Sequence, residues 1–365
     1  MSTQSPLLSI ESFKVSRGGV EVVNVNRLDI EKGSHLTLIG PNGAGKSSLL
    51  LAAAGLLKPS SGTIRFRGER VSRNKDMLDY RRSTACIFQE ALLFDTSVYA
   101  NISSGLRFRK ASRKDINEMV NLQAERFGIA HLLKRSARTL SGGEAQRVSL
   151  ARAFAVMPDI IFMDEPFSAL DKPTRDTLID DFGKVLKETG TTAVMVTHDQ
   201  DEALRLSTEI AVMDKGIIVQ RGAPVDVMNH PENEFIASFM GMESLIEGIV
   251  KSSENNMIVG ETANKQLAAI GRAEPGERVL LGIRPENITV STSRDLQTSA
   301  RNVFAGTITR IVPKSFYLKV DIDCGFSLTA YVTENSAAEL MLKEGSKVTA
   351  SFKATGVHVI KKPVR

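Results

Sequence analysis

Gly40-Pro41-Asn42-Gly43-Ala44-Gly45-Lys46-Ser47, with Ser48 behind it, is the stretch on which the reading of this chain turns. Its spacing is that of a phosphate-binding loop. Glycines, lacking Cβ, let several backbone N–H groups converge on phosphate oxygens. A helix that opens at Lys46 adds the positive end of its dipole at the same point. The apolar residues 36–39 before the loop read as a buried strand, and residues 46–57 after it read as a helix. A glycine-rich turn without a ligand requires neither flank. Lys46 is expected to reach the β- and γ-phosphates of a nucleotide, and the Ser47 hydroxyl to hold Mg²⁺. Gly40, Pro41, Asn42, Gly43, Ala44, Gly45 and Ser48 complete the cradle.

Working outward, residues 7–39 alternate apolar runs with turn signals at Arg17-Gly18-Gly19 and Lys32-Gly33, which predicts strand, turn, strand and a third strand into the loop. Ile116, Met119, Val120 and Phe127 fall at helical spacing and are expected to pack the core of a helical lobe. Residues 160–163 and 193–196 are continuously apolar, as strands of a parallel sheet covered on both faces are. The first of these runs ends in Asp164-Glu165, which delivers a metal-binding carboxylate, Asp164, to the carboxyl edge of the sheet. Glu165 is then placed to polarise an attacking water. His198, directly after the second run, is expected to donate to a γ-phosphate or to its water.

Leu140-Ser141-Gly142-Gly143-Glu144-Ala145-Gln146-Arg147 opens a further helix with a second anion-binding start, built from Ser141, Gly142 and Gly143. One nucleotide does not need two such starts from one subunit. A dimer in which each copy closes on the other's nucleotide accounts for both.

Bulk properties are those of a soluble globular chain: 365 residues, 42% hydrophobic and 24% charged, with room for two domains. Residues 1–13 are expected to carry no signal peptide, and the most apolar early run, 49–57, is too short to span a bilayer. Cys86 and Cys324 stand far apart and fit no ligand spacing, which suits a reducing compartment. The net charge of +5 is scattered; the cluster Arg107, Arg109, Lys110, Arg113 and Lys114 reads as a solvated face, and no nucleic acid is expected as a partner.

These motifs together resemble the ABC ATPase family over residues 1–242, in family order. The resemblance implies ATP and Mg²⁺ as ligands and a helical subdomain around residues 91–150. It also implies a metal-sensing role for Gln89 in Ile87-Phe88-Gln89-Glu90, and a contact with the second copy at Ser168-Ala169-Leu170-Asp171. Two positions depart from the family pattern. Arg17 stands where an aromatic side chain commonly stacks on adenine, and its guanidinium is a candidate to stack instead. Asp95, in Leu92-Leu93-Phe94-Asp95-Thr96-Ser97-Val98, replaces a common proline in a segment expected to meet the membrane partner.

Beyond residue 242 the chain changes to short strand-like pieces between Gly, Asn and Ser. Residues 276–285 align without gaps on 345–354, with Val279/Val348 and Arg284/Lys353 as the best pairs, which predicts two copies of a small β-barrel. Gly282-Ile283-Arg284-Pro285-Glu286-Asn287 resembles the TOBE tail of importer ATPases. Ser299-Ala300-Arg301-Asn302 and Phe352-Lys353-Ala354-Thr355-Gly356-Val357 resemble its Mop version, which is associated with molybdate and tungstate. Ser299, Arg301, Lys353 and Thr355 offer the hydroxyls and cations a tetrahedral oxyanion needs; a barrel that only dimerises is the alternative.

The expected fold is therefore an α/β P-loop NTPase with a helical subdomain (1–242), followed by an all-β, OB-like TOBE/Mop domain (243–365). The expected function is ATP hydrolysis energising an ABC importer of molybdate or tungstate at the cytoplasmic face of the membrane. Expected partners are a second copy, integral-membrane permease subunits, a solute-binding protein outside the membrane and an oxyanion at the tail. The alternatives are an importer of sulfate, iron, polyamine or sugar, and an ABC ATPase acting outside transport, in translation or DNA repair.

Overall fold

The computed structural model describes residues 5–72, 75–292 and 298–361. The chain forms two compact units, Met1–Pro224 and Val225–Arg365. The division lies ahead of the change of fold type read at residue 242, because the short helices Pro224–Asn229 and Glu234–Phe239 belong with the second unit. There the Arg284 guanidinium donates to Met240 O at 2.7 Å and to Met228 O at 3.0 Å.

A six-stranded sheet organises the first unit, in the order Ile217–Gly222, Glu209–Asp214, His35–Ile39, Thr192–Val196, Ile160–Asp164, Thr84–Ile87. All neighbours are parallel except the first pair. Residues 160–163 and 192–196 are buried on both faces, as their unbroken apolar composition requires. An antiparallel sheet of four strands, Val20–Ile30, Leu8–Arg17, Ser61–Phe66 and Glu69–Arg70, carries the amino-terminal hairpin. The helix after the glycine-rich loop spans Lys46–Ala53, shorter than its apolar run, because Gly55 turns the chain at φ +70°.

The helical lobe consists of Val98–Phe108, Arg113–Arg126 and Gly142–Ala155, each opened by a serine that caps a backbone N–H. Ile116, Val120 and Phe127 are buried in its core, and Met119 packs against them from a half-buried position.

In the second unit two five-stranded sheets share one core. One runs Lys265–Ile270, Met257–Thr262, Ser244–Glu254, Arg278–Ile283, Val357–Lys361; the other runs Ser327–Val332, Leu318–Asp323, Asn302–Pro313, Lys347–Phe352, Thr289–Ser291. The two orders correspond strand for strand, so the repeat is structural. In each copy a glycine turn (Gly276 φ +89°, Gly345 φ +85°) leads into the fourth strand, and a 3₁₀ turn capped by Arg284 or Lys353 follows it. The copies are not separate barrels. Each sheet takes its last strand from the other copy, since Val357–Lys361 pairs with the first sheet and Thr289–Ser291 with the second.

Candidate functional site

The buried strand His35–Ile39 carries the chain to Gly40, where space is the constraint. A Cβ at Gly40 would lie 2.1 Å from Met213 O, and one at Gly45 2.3 Å from Val22 O. Both residues also have positive φ, 150° and 97°, so only glycine fits either position. Gly216 N donates to Ala44 O at 3.0 Å and ties the loop to the neighbouring strand turn.

Lys46 is buried, with Nζ donating to Gly40 O at 2.8 Å and to Pro41 O at 2.9 Å. Burial lowers its pKa, opposed by the charges of Glu165 and Asp164. Ser47 Oγ donates to Asp164 Oδ1 at 2.9 Å. Burial raises the Asp164 pKa, and neighbouring Glu165 adds to this against the Ser47 hydrogen bond and Lys46. Two hard oxygen ligands therefore face each other at the carboxyl edge of the sheet, a donor set suited to Mg²⁺.

Glu165 adopts φ +47°, an uncommon conformation for a side-chain-bearing residue. Hydrogen bonds from several sides hold this turn. Glu165 N donates to Val196 O at 2.9 Å, Ser168 Oγ to Glu165 O at 3.0 Å, and Gln146 Nε2 to Pro166 O at 2.6 Å. His198 Nδ1 lies 3.3 Å from Glu165 Oε2. A cavity of about 390 Å³ opens between Ser47, Gln89, Asp164 and Glu165, flanked by Phe88 and Leu92.

The remaining site candidates lie elsewhere. Arg17 is exposed at the tip of the amino-terminal hairpin, opposite exposed Val20. Ser141, Gly142 and Gly143 are not among the residues lining the cavity. Ser141 Oγ accepts from Glu144 N at 3.3 Å while Glu144 accepts from Ser141 N at 2.7 Å, and a Cβ at Gly142 would meet open space. This helix start is capped from within; Gly142 faces open space, while a Cβ at Gly143 would fall 2.7 Å from Thr174 Cγ2.

The ABC transporter family matches residues 23–168, and the TOBE domain matches residues 298–359. The molybdate/tungstate import ATP-binding protein WtpC of Pyrococcus horikoshii is 40% identical over 97% of this chain and 99% of its own. The chain belongs to the ABC transporter family of ATP-binding proteins. The spermidine/putrescine import ATP-binding protein PotA of Clostridium novyi is 34% identical over 78% of this chain and 80% of its own. Among solved structures, cbiO1 of Clostridium perfringens, part of the ABC transporter complex cbiONQ, superposes with a TM-score of 0.58. It is 28% identical and covers 66% of this chain and 96% of its own.

This ABC ATPase is thus an ATP-hydrolysing subunit that energises an importer, with a TOBE domain in its tail. No helix among its described residues is long and apolar enough to cross a membrane. Gln146 lies inside the motif 140–147, whose spacing assigns it no role. It is buried, and its reach to Pro166 O links the helix opened by Ser141 to the Glu165 turn. Its importance lies in a through-space contact that no spacing rule encodes. Asn101 was missed for the same reason. It is fully buried, accepts from Phe94 N at 2.8 Å and donates to Phe94 O at 3.0 Å. Arg152 donates to Leu92 O at 2.8 Å, and Asp95 pairs with Arg138. The segment after Gln89 is therefore pinned with Leu92 and Phe94 exposed.

In the tail of this ABC ATPase, Lys353 and Thr355 line a cavity of about 1130 Å³ together with Arg284, Arg272, Asn287 and His358. Its position is set by the repeat: the 3₁₀ turns of the two copies abut, Gly356 packing against Asn287. Ser299 and Arg301 are not among the lining residues, although their neighbours Thr298 and Ala300 are; Arg301 Nη1 lies instead 3.3 Å from Met257 Sδ. His358 Nδ1 lies 2.7 Å from Asn229 O, and since a carbonyl only accepts, that nitrogen carries the proton. Burial lowers the His358 pKa, with the charges of Arg284 and His230 acting in the same direction.

Proposed function

We propose that this ABC ATPase powers uptake of molybdate or tungstate, using ATP sites shared between two copies of the chain. The observation that carries the ATP site is the Ser47–Asp164 hydrogen bond beside Gln89 and Glu165, directly after the glycine-rich loop. Lys46 would exchange its loop carbonyls for β- and γ-phosphate oxygens. Ser47, Asp164 and Gln89 would hold Mg²⁺, which supplies charge neutralisation between the phosphates. Glu165 accepts a proton from the attacking water, and His198, within reach of the same carboxylate, donates toward the γ-phosphate. Ser141, Gly142 and Gly143 serve the second copy's nucleotide, in keeping with the open space at Gly142 and with the absence of all three from the cavity of their own chain. Arg17 is the candidate to stack on the base.

The cargo reading rests on likeness along nearly the whole length to an import protein named for molybdate and tungstate. In this reading permease subunits supply the membrane-spanning helices, a solute-binding protein delivers the ion, and the chain sits peripherally on the cytoplasmic face. Reconstituting the ATPase with its permease and loaded binding protein tests it. Molybdate or tungstate should stimulate ATP hydrolysis; stimulation by a polyamine or by sulfate alone would reject this cargo. Polyamine uptake is the second reading, since a polyamine importer also aligns over most of the chain. The tail cavity, with Arg284, Lys353 and Thr355, is the candidate oxyanion sensor. Titrating the full chain with molybdate, tungstate and sulfate should give binding that a Lys353→Ala variant loses; no binding of any of the three leaves the tail as scaffold.

A further inference from the structure

The turn that carries His198 is braced by charged side chains to which the chemistry above gives no role. The His198 side chain is 59% exposed, with Nδ1 3.3 Å from Glu165 Oε2. A ring so exposed takes its direction from the backbone on either side, and both neighbours are tied down. Thr197 Oγ1 donates to Glu202 Oε2 at 2.6 Å and accepts from Asp199 N at 3.0 Å. Asp199 Oδ1 accepts from the N–H groups of Asp201 and Glu202 at 2.9 and 3.2 Å, capping the helix Gln200–Leu206. Its other oxygen, Oδ2, lies 3.1 Å from Arg175 Nη1, in the first turn of the helix Lys172–Thr189.

Two observations separate this ion pair from ordinary helix packing. The two helices are already joined farther along. Arg205 donates to Asp176 Oδ1 at 2.8 Å and to Asp180 Oδ1 at 2.7 Å, and a Cβ at Gly183 would lie 3.4 Å from Leu206 Cδ2. Docking one helix on the other therefore does not require Arg175. The second observation is that Asp199 shares its turn with another carboxylate, Glu202, which is buried. Burial raises the Glu202 pKa and the Asp199 charge adds to this, against the Thr197 hydrogen bond and the Arg175 charge. Arg175 is thus a cation that lets two carboxylates stand together around His198. Its pair with Asp199 is mostly shielded, at 25% and 24% side-chain exposure, so solvent screens it less than a surface pair.

We propose that Arg175 is a positioning residue for ATP hydrolysis: through Asp199 it fixes the turn that aims His198 at the γ-phosphate. The assignment rests on the reading of His198 as the donor toward that phosphate. Arg175 acts at one remove, since it lines no part of the cavity beside Glu165. Without the guanidinium, Asp199 and Glu202 repel each other and the turn loosens. The ring then leaves its line, which costs rate rather than ATP affinity.

A double-mutant cycle on steady-state hydrolysis by the assembled transporter tests this. Arg175→Met should lower kcat about 10–100-fold with ATP affinity retained. Arg175→Lys, which returns the charge without the planar fork, should recover most of the loss. On a His198→Ala background Arg175→Met should change kcat less than about twofold, because the ring it aims is gone. A kcat unchanged by Arg175→Met overturns the proposal. So does an equal loss on the His198→Ala background, or one that comes with weaker ATP binding, because the ion pair is then structural. Should Arg175→Met fail to fold, Asp199→Asn keeps the cap and weakens the pair; the same dependence on His198 is expected, and its absence overturns the proposal equally. His198→Ala at the original rate is a different failure, since it rejects the role given to His198 itself and takes this proposal with it.

Discussion

At Glu165 the backbone is held at φ +47° while the side chain lies 3.3 Å from His198. A left-handed glutamate costs about 1–3 kcal/mol, so the neighbouring hydrogen bonds must over-determine it. Glu165→Gln keeps the shape and removes the proposed proton acceptor. Turnover of the assembled transporter should fall about 10²–10⁴-fold with ATP affinity retained, as read by steady-state hydrolysis alongside nucleotide titration. Hydrolysis at the original rate would remove Glu165 as the base. Gln146→Leu probes the support rather than the chemistry. It strands the buried Pro166 carbonyl and should cost about 1–3 kcal/mol, seen as a lower urea midpoint. Lys46, Ser47, Asp164 and Glu165 were legible in the sequence because loop and strand-end chemistry is local. Gln146 was not, because its partner lies 20 residues on and is met only through packing.

Among the elements, the helix Gly142–Ala155 does two jobs at its start. Ser141 and Glu144 cap each other, which satisfies two backbone donors, and Gly142 beside them faces open space. Ser141→Ala should therefore destabilise the chain without nucleotide by about 0.5–2 kcal/mol, measured by urea unfolding. An unchanged midpoint would mean that the cap contributes nothing. The glycine-rich loop shows how pattern and space differ. The motif alone predicts a phosphate cradle, but the need for glycine at 40 and 45 comes from Met213 O and Val22 O, which other strands bring close. Helix length is a similar case. Hydrophobicity predicts continuation to residue 57, whereas Gly55 ends the helix region by its positive φ. The repeat in the tail was visible as a turn–strand–turn pattern, with Arg284 and Lys353 as the matching caps.

At the scale of the molecule, each unit holds a half-buried histidine against a backbone carbonyl. His35 Nδ1 lies 3.2 Å from Leu206 O, His358 Nδ1 2.7 Å from Asn229 O, and burial lowers both pKa values. The unfolded chain then binds more protons, so this contribution is complete above the unfolded histidine value of about 6.5. It is lost as pH falls through the lowered native values. The urea midpoint should drop between about pH 7 and about pH 5, and His358→Asn should shrink the drop for the second unit. An identical pH profile in that variant would sink the assignment. Removing residues 357–365 tests the strand exchange. It strips Val357 and Ile360, each 2% exposed, from the first copy's sheet. The second unit should lose several kcal/mol, at about 2–5 for each large buried side chain, while the first keeps its ATP affinity. Cooperative unfolding at the original urea midpoint would show the sheets to be independent. From the sequence alone follow the P-loop cassette, its order of motifs and the doubled tail, because each depends on short-range spacing and periodicity. Tertiary structure decided which copy each last strand joins, which residues support Glu165, and that Lys353 and Thr355 share a cavity with Arg284 while Ser299 and Arg301 do not line it. Those are contacts between residues far apart in the chain, and periodicity carries no information about them.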